Sequence, residues 1–293
     1  MKPSPAARAL RTIVIVVIAA WSLGPVAIGV LTSISSQNDV QAVPARWWPH
    51  QLNLDAYRAI VGGVHSAGTV AGCVGCNTAA DAGAFGQSLL SSVEVTAEAT
   101  LATLLVSVVA GYALSRLRFR GGKVLLWAVV GTLVIPLFTL VVALFRMMVE
   151  LHLINTQLGL VLVYLSAEAP LAMWLLYNHC RDLPPEPEEA ALMDGCTRWQ
   201  AFRMVVLPQM RSGIAALAAI VMLLTYGQFL IPLLLGSTPS TTPVTVLITE
   251  FVGKYTTNYP ILAAAGVIAV LPPAIIALLL NRHIRGMLSG ATG

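Results

Sequence analysis

The chain has 293 residues, 57% hydrophobic and only 10% charged, with a mean hydropathy of +0.80 and a formal net charge of +4. An ordinary water-soluble domain is about 45–50% apolar and about 25% charged, so composition excludes that class and implies a lipid environment. The positive balance does not point to nucleic acid, because the basic residues are scattered over the segments between apolar runs and are not gathered with interleaved aromatics.

Six apolar runs are long enough to cross a hydrocarbon core of about 30 Å. They lie near Ile13–Leu31, Leu89–Leu114, Val124–Val149, Leu158–Leu176, Gly213–Leu235 and Ile261–Leu280. Backbone amides in lipid need internal partners, so each run is expected to be a helix. The expected fold class is all-α: a polytopic membrane protein of six transmembrane helices, spanning 13–281, with an N-terminus at 1–12 and a tail at 282–293. The first run exceeds the roughly 7–15 residues of a signal-peptide h-region and no small-residue cleavage site follows it directly, so it is read as a span. The second and third are long enough to tilt or to project beyond the bilayer.

Lysine and arginine set the expected orientation. With the N-terminus cytoplasmic, Lys2, Arg8, Arg11, Arg116, Arg118, Arg120, Lys123, Arg181, Arg198, Arg203, Arg211, Arg282 and Arg285 fall inside. Only Arg46, Arg58, Arg146 and Lys254 fall on the other side, so both termini are expected in the cytoplasm.

The segment 32–86 is then extracytoplasmic, with turn residues at Pro44, Pro49, Gly62, Gly63 and Gly68. Cys73-Val74-Gly75-Cys76 sits in a Gly/Ala-rich stretch of it. A redox pair would need a helix N-terminus to lower the thiol pKa, and a metal site would need a second ligand pair, which the sequence lacks. The simpler reading is a small disulfide between Cys73 and Cys76, or two idle thiols, in an oxidising compartment. Cys180 and Cys196 fall on the cytoplasmic side and are expected to be reduced.

Ionisable groups within spans are expensive and default to functional candidates. Glu94 and Glu98 share one face of the second span, and Glu168 stands two residues before Pro170 in the fourth. Transport sites often lie beside interrupted helices at the midplane, so a polar path of Glu94, Glu98, Glu168, Tyr226 and Gln228 is a candidate. The alternative is that these glutamates pair with other helices or face a wet cavity, and it is preferred for Glu94 and Glu98.

The segment 182–210 carries the most specific information. Pro184 and Pro185 stop the fourth span, and Glu186, Glu188 and Glu189 place acid in the first turn of a short helix, where the macrodipole favours it. Gly195 suits a helix end, and Thr197 with Gln200 has the spacing of a capping box for a second helix carrying Trp199 and Phe202. Pro208 is expected to open the fifth span. A hairpin lying on lipid would favour a strongly basic polar face; this one begins acidic and alanine-rich, which suits docking against a protein.

Glu189-Ala190-Ala191, Gly195, Val205 and Leu207-Pro208 keep the complete spacing of the EAA loop, and the segment resembles that loop in permease subunits of ATP-binding-cassette importers. Gly111-Tyr112-Ala113-Leu114-Ser115-Arg116 with Phe119 and Gly121, Leu153-Ile154-Asn155-Thr156 with Gly159-Leu160, Leu183-Pro184-Pro185-Glu186, and the tail Gly286–Gly293 extend the resemblance to the carbohydrate-uptake subfamily, the maltose-type and glycerol-phosphate-type permeases. Departures are Thr225-Tyr226-Gly227-Gln228-Phe229, where that family often has a Trp-Asn-Glu-Phe-like stretch, and a tail without its usual lysine.

The resemblance implies type I importer permease architecture in a bacterial plasma membrane. It implies a second permease, two cytoplasmic ATPase subunits and an extracytoplasmic solute-binding protein as partners. It also implies coupling residues at Glu189, Ala190, Ala191, Asp194, Gly195, Thr197, Phe202, Leu207 and Pro208, and import of a sugar or sugar-like compound. No Gly-x-x-x-x-Gly-Lys-Ser/Thr motif occurs, the five histidines are scattered, and no hydrolase or zinc-protease motif is present. This chain is therefore expected to catalyse nothing and to hold no metal or cofactor, with ATP and Mg used by the partner ATPase. A secondary transporter, working without an ATPase, is the alternative; it would more often show an internal repeat with paired broken helices.

Overall fold

The computed structural model describes residues 5–44, 48–62, 78–117, 119–236, 238, 241–252 and 257–290, with only the backbone path for 5–9, 78–83 and 280–290. Cys73 and Cys76 lie outside the described residues, as do Arg46, Arg118, Lys254 and the last three residues of the tail.

The described residues form helices α1 (Pro5–Ser33), α2 (Gln37–Val40), α3 (Asp55–Gly62), α4 (Thr78–Arg116), α5 (Gly122–Thr132), α6 (Leu137–Glu150) and α7 (Gln157–Asp182). There follow α8 (Glu186–Met193), α9 (Arg198–Ala201), a π-helical turn (Phe202–Val206), α10 (Leu207–Tyr226), α11 (Leu230–Leu235), α12 (Val244–Glu250) and α13 (Tyr259–Gly290). Five stretches are long and apolar enough to cross a membrane: Leu10–Ser33, Ala84–Arg116, Gln157–Asp182, Arg198–Tyr226 and Tyr259–Leu279. The all-α expectation holds, with five continuous spans and a sixth only if α5 and α6 are taken together.

Three expectations for the spans need correction. The run Val124–Val149 is not one straight helix: α5 and α6 meet at a bend of 97°. Pro136 stands at the N-cap of α6, where it disfavours helical backbone at Ile135 and offers no N–H to the turn before it.

The fourth span is not interrupted, since α7 runs unbroken through Pro170. The break lies instead in the run Gly213–Leu235, because α10 ends at Tyr226 and α11 starts afresh at Leu230. Pro232 cannot donate to the Gln228 carbonyl one turn earlier, and that carbonyl accepts from Thr245 Oγ1 at 2.9 Å.

The chain divides into two units. The first comprises 1–87 and 247–270. In it, the Leu10–Ser33 stretch has almost no protein cover, as an apolar helix facing lipid or another subunit would not. Below its end, Ser33 Oγ meets Tyr57 Oη at 2.7 Å, the Asn53 N–H donates to the Ile34 carbonyl at 2.9 Å, and Gln37 bridges Thr257 and Tyr259 through its side-chain amide. These polar ties fold α2 and α3, which the sequence showed only as turn-rich chain, onto the end of α1.

The second unit comprises 88–246 and 271–293. Inside a membrane there is little hydrophobic force between helices, so close packing and interhelical polar contacts hold it. One core joins Val108 and Tyr112 of α4, Leu176 and Cys180 of α7, Phe202 and Val206 of the π turn, and Met210 and Leu217 of α10. Another joins Val95 and Ala99 of α4, Met148 of α6, Leu160 and Tyr164 of α7, and Ile231 and Leu235 of α11. The Asn155 N–H donates to the Leu235 carbonyl at 2.9 Å, tying the turn before α7 to the end of α11.

Candidate functional site

The hairpin between α7 and α10 is closed by two local devices. At the end of α8, the Cys196 N–H donates to the Ala191 carbonyl at 3.0 Å and the Gly195 N–H to the Leu192 carbonyl at 3.2 Å, a Schellman turn. Gly195 sits there at φ +89°, the left-handed region that glycine enters without a Cβ penalty. Thr197 then caps α9: its hydroxyl accepts from the Gln200 N–H while the Gln200 side chain accepts from the Thr197 N–H at 2.7 Å. Both devices match the sequence reading.

The second helix does not stop at Pro208. The Leu207 N–H reaches back to the Phe202 carbonyl, so the turn before the proline is π-helical and the chain passes from α9 into α10 as one rod. A π turn accommodates a residue with no N–H without ending the helix. The arm of the hairpin and the fifth span are therefore mechanically one element.

Among the expected coupling residues, Glu189, Ala190, Asp194, Gly195, Thr197 and Pro208 are exposed, Ala191 and Leu207 are half-buried, and Phe202 is buried. Phe202 faces inward, its ring 4.5 Å from that of Tyr112 and 5.3 Å from that of Trp199. Beside the exposed set, Met193, Trp199 and Met204 are 89%, 61% and 67% exposed. Exposed apolar side chains beside acidic and polar residues are the composition of an interaction surface.

Sequence reasoning missed the inner face. Glu188, read as one of three dipole acids, is buried: Tyr112 Oη donates to its Oε1 at 2.7 Å and Arg116 Nε lies 3.5 Å from its Oε2. The available signal was spacing, because Glu188 shares a helix face with Ala191 and Leu192.

Of the candidate path, the structure joins three members and separates two. Glu168 is buried in α7, beside the Gln228 side chain from the break after α10. Tyr226 and Gln228 line a cavity of about 10 Å³ with Ser92, Thr96, Tyr164 and Thr225. That volume holds at most about one water, so this conformation is closed to a sugar. Glu94 and Glu98 are exposed on the opposite face of α4, alongside Leu90, Val93 and Leu101. No group of three or more metal-ligating side chains occurs among the described residues.

Residues 103–287 match the family model described as the inner membrane component of binding-protein-dependent transport systems. The chain is 33% identical over 209 residues to the diacetylchitobiose uptake system permease protein NgcG of Streptomyces coelicolor, covering 71% of this chain and 69% of that protein. It is 31% identical over 210 residues to the trehalose transport system permease protein SugB of Mycobacterium tuberculosis, covering 71% and 77%. In fold it is similar to a chain of a bacterial importer of the acidic polysaccharide alginate, with a TM-score of 0.76 over 96% of this chain and 99% of that one, at 19% identity. The apolar spans, the hairpin rod and these likenesses together place the chain in the family of inner membrane components of binding-protein-dependent transport systems, as a multi-pass permease subunit of an ATP-driven importer.

Proposed function

We propose that this permease imports a neutral di- or oligosaccharide, with its hairpin docked on a cytoplasmic ATPase and its termini in the cytoplasm. What carries the reading is the exposed patch of Glu189, Ala190, Met193, Asp194 and Trp199 on a hairpin whose second arm is continuous with a span. The sugar class is supported by the names of similar permeases, which carry diacetylchitobiose and trehalose. The expected assembly has a second permease, two ATPase subunits and a solute-binding protein, and ATP and Mg bind the ATPase. The cytoplasmic placement of the hairpin rests on the thirteen Lys and Arg residues that share its side.

In this mechanism ATP-driven closure of the ATPase pair moves the hairpin, and the unbroken rod turns that movement into a tilt of α10. The break at Gly227–Phe229, one end of that rod, holds Gln228 against Glu168. A tilt of α10 would part them, freeing a carboxylate and an amide to accept and donate to sugar hydroxyls. Tyr226 supplies an aromatic face beside them. Glu94 and Glu98, exposed among the described residues, are left to pair with another helix or to face a wet cavity.

Copurification tests the docking. Wild-type complex should retain the ATPase, and Glu189→Lys, which reverses charge on the exposed patch, should lose it; retention with normal ATP hydrolysis would reject the hairpin as the dock. For the path, Glu168→Ala removes the carboxylate beside the half-buried Gln228 amide, a contact worth about 1.5–3 kcal/mol. Uptake of radiolabelled di- and oligosaccharides should then fall about tenfold with assembly unchanged. Wild-type uptake by that variant removes Glu168 from the path.

A further inference from the structure

We propose that Tyr112 and Arg116, in the last turn and a half of α4, are positioning residues that latch the hairpin to the second and fourth spans, so that the dock moves three spans and not one. The inference rests on the reading of the hairpin as the dock. Five contacts of Tyr112 and Arg116, with a close approach at Gly111, converge on this short piece of α4. Tyr112 Oη donates to Glu188 Oε1 of α8 at 2.7 Å, and the Tyr112 ring lies 4.5 Å from Phe202 in the π turn. Arg116 pairs with Glu188 at 3.5 Å, and its Nη2 donates to the Leu183 and Cys180 carbonyls at 2.7 and 3.1 Å, at the end of α7. One residue before Tyr112, Gly111 lies so close to α7 that an added Cβ would come within 3.0 Å of Leu176 Cβ and 3.1 Å of the Tyr177 nitrogen.

The pairing is enclosed, the Glu188 and Arg116 side chains being 6% and 15% exposed. Parting a buried carboxylate from its partners is strongly unfavourable, whereas moving α4 and the end of α7 with the hairpin keeps every contact. The lower-energy response to a pull on α8 is therefore collective. Arg116 Nε and Glu188 Oε2 are close but make no hydrogen bond. The ion pair thus has room to tighten as α8 shifts, while the Tyr112 bond holds the other carboxylate oxygen.

Because closure of the ATPases must drag the latched spans, the latch restrains ATP hydrolysis when no binding protein engages the other face. The test uses the assembled complex of both permeases and the ATPases in lipid vesicles, with ATP alone as the probe. Tyr112→Phe removes one oxygen and Glu188→Gln removes one charge. Each should retain the ATPase on copurification and raise hydrolysis without binding protein about tenfold, the loss of one charge-assisted hydrogen bond. The double variant should exceed neither single by more than about twofold, because both weaken the same Tyr112–Glu188 hydrogen bond. Unchanged or lowered hydrolysis, loss of the ATPase, or additive effects would overturn the latch. Should Glu188→Gln fail to assemble, Tyr112→Phe alone decides. In the same preparation Glu189→Lys separates the two claims: if it keeps the ATPase, the dock itself is wrong, and if it loses the ATPase while Tyr112→Phe stays at the wild-type rate, only the latch is.

Discussion

Replacing Gly195 by valine is expected to uncouple the permease from its ATPase. The residue sits at φ +89° with open space around its missing Cβ, so the effect is conformational and not a clash within this chain. A non-glycine residue in left-handed backbone costs roughly 1–2 kcal/mol, and a β-branched one is a clear outlier there. That strain shifts the closed hairpin by a factor of roughly 5–30 against alternatives in which α8 and α9 no longer present Met193, Asp194 and Trp199 together. ATPase copurification and ATP hydrolysis should fall by the same order, while the spans assemble normally. Asparagine, which tolerates left-handed backbone, should be milder at this position. If valine and asparagine both behave as wild type, the tight turn is not needed for docking.

Gly159→Ala should be strongly damaging to stability. A Cβ there would be driven into the backbone carbonyl oxygen of Leu153 and would lie 3.1 Å from Thr156 Oγ1. Neither obstacle can rotate away. The carbonyl belongs to the chain, and the hydroxyl is engaged, donating to Leu153 at 2.7 Å and accepting from the Gly159 N–H at 3.1 Å as the cap of α7. Overpacking of this kind costs about 1–3 kcal/mol, so the apparent Tm of the purified protein should drop by roughly 3–10 °C. Gly131→Ala is the control: nothing lies within 4 Å of its Cβ position, and alanine in a helix is favoured over glycine by about 0.5–1 kcal/mol. Equal Tm changes at the two positions would show that the turn at Leu153–Thr156 yields more readily than its hydrogen bonds suggest.

Helix class, the apolar stretches and the turn of the hairpin were legible in the sequence because each is a local matter. Apolar length determines what can cross a bilayer, Gly195 suits the left-handed turn, and Thr197 with Gln200 writes a cap within four residues. Where the reading failed, the competing forces were non-local. Pro170 was expected to interrupt the fourth span, yet α7 runs through it, packed against α10 and α11, while Pro136 and Pro232 mark the real breaks. A proline removes one hydrogen bond in every case; whether a neighbour, such as Thr245 for the Gln228 carbonyl, supplies a different partner depends on the packed structure.

The same division holds for function. The resemblance to the EAA loop, carried by the spacing of Glu189-Ala190-Ala191, Gly195 and Leu207-Pro208, implied a docking role for Glu189, Ala190 and Asp194, and all three are exposed. Only the tertiary structure turned Glu188 inward to Tyr112 and Arg116, the hydrogen bond to Tyr112 reaching across 76 positions of the chain. It also gathered Glu168 with Gln228 while leaving Glu94 and Glu98 on an uncovered face of α4. A carboxylate carries no mark of its partner in the chain; burial selects the partner, because an enclosed charge must be met by whatever donor the packing of other helices brings within reach.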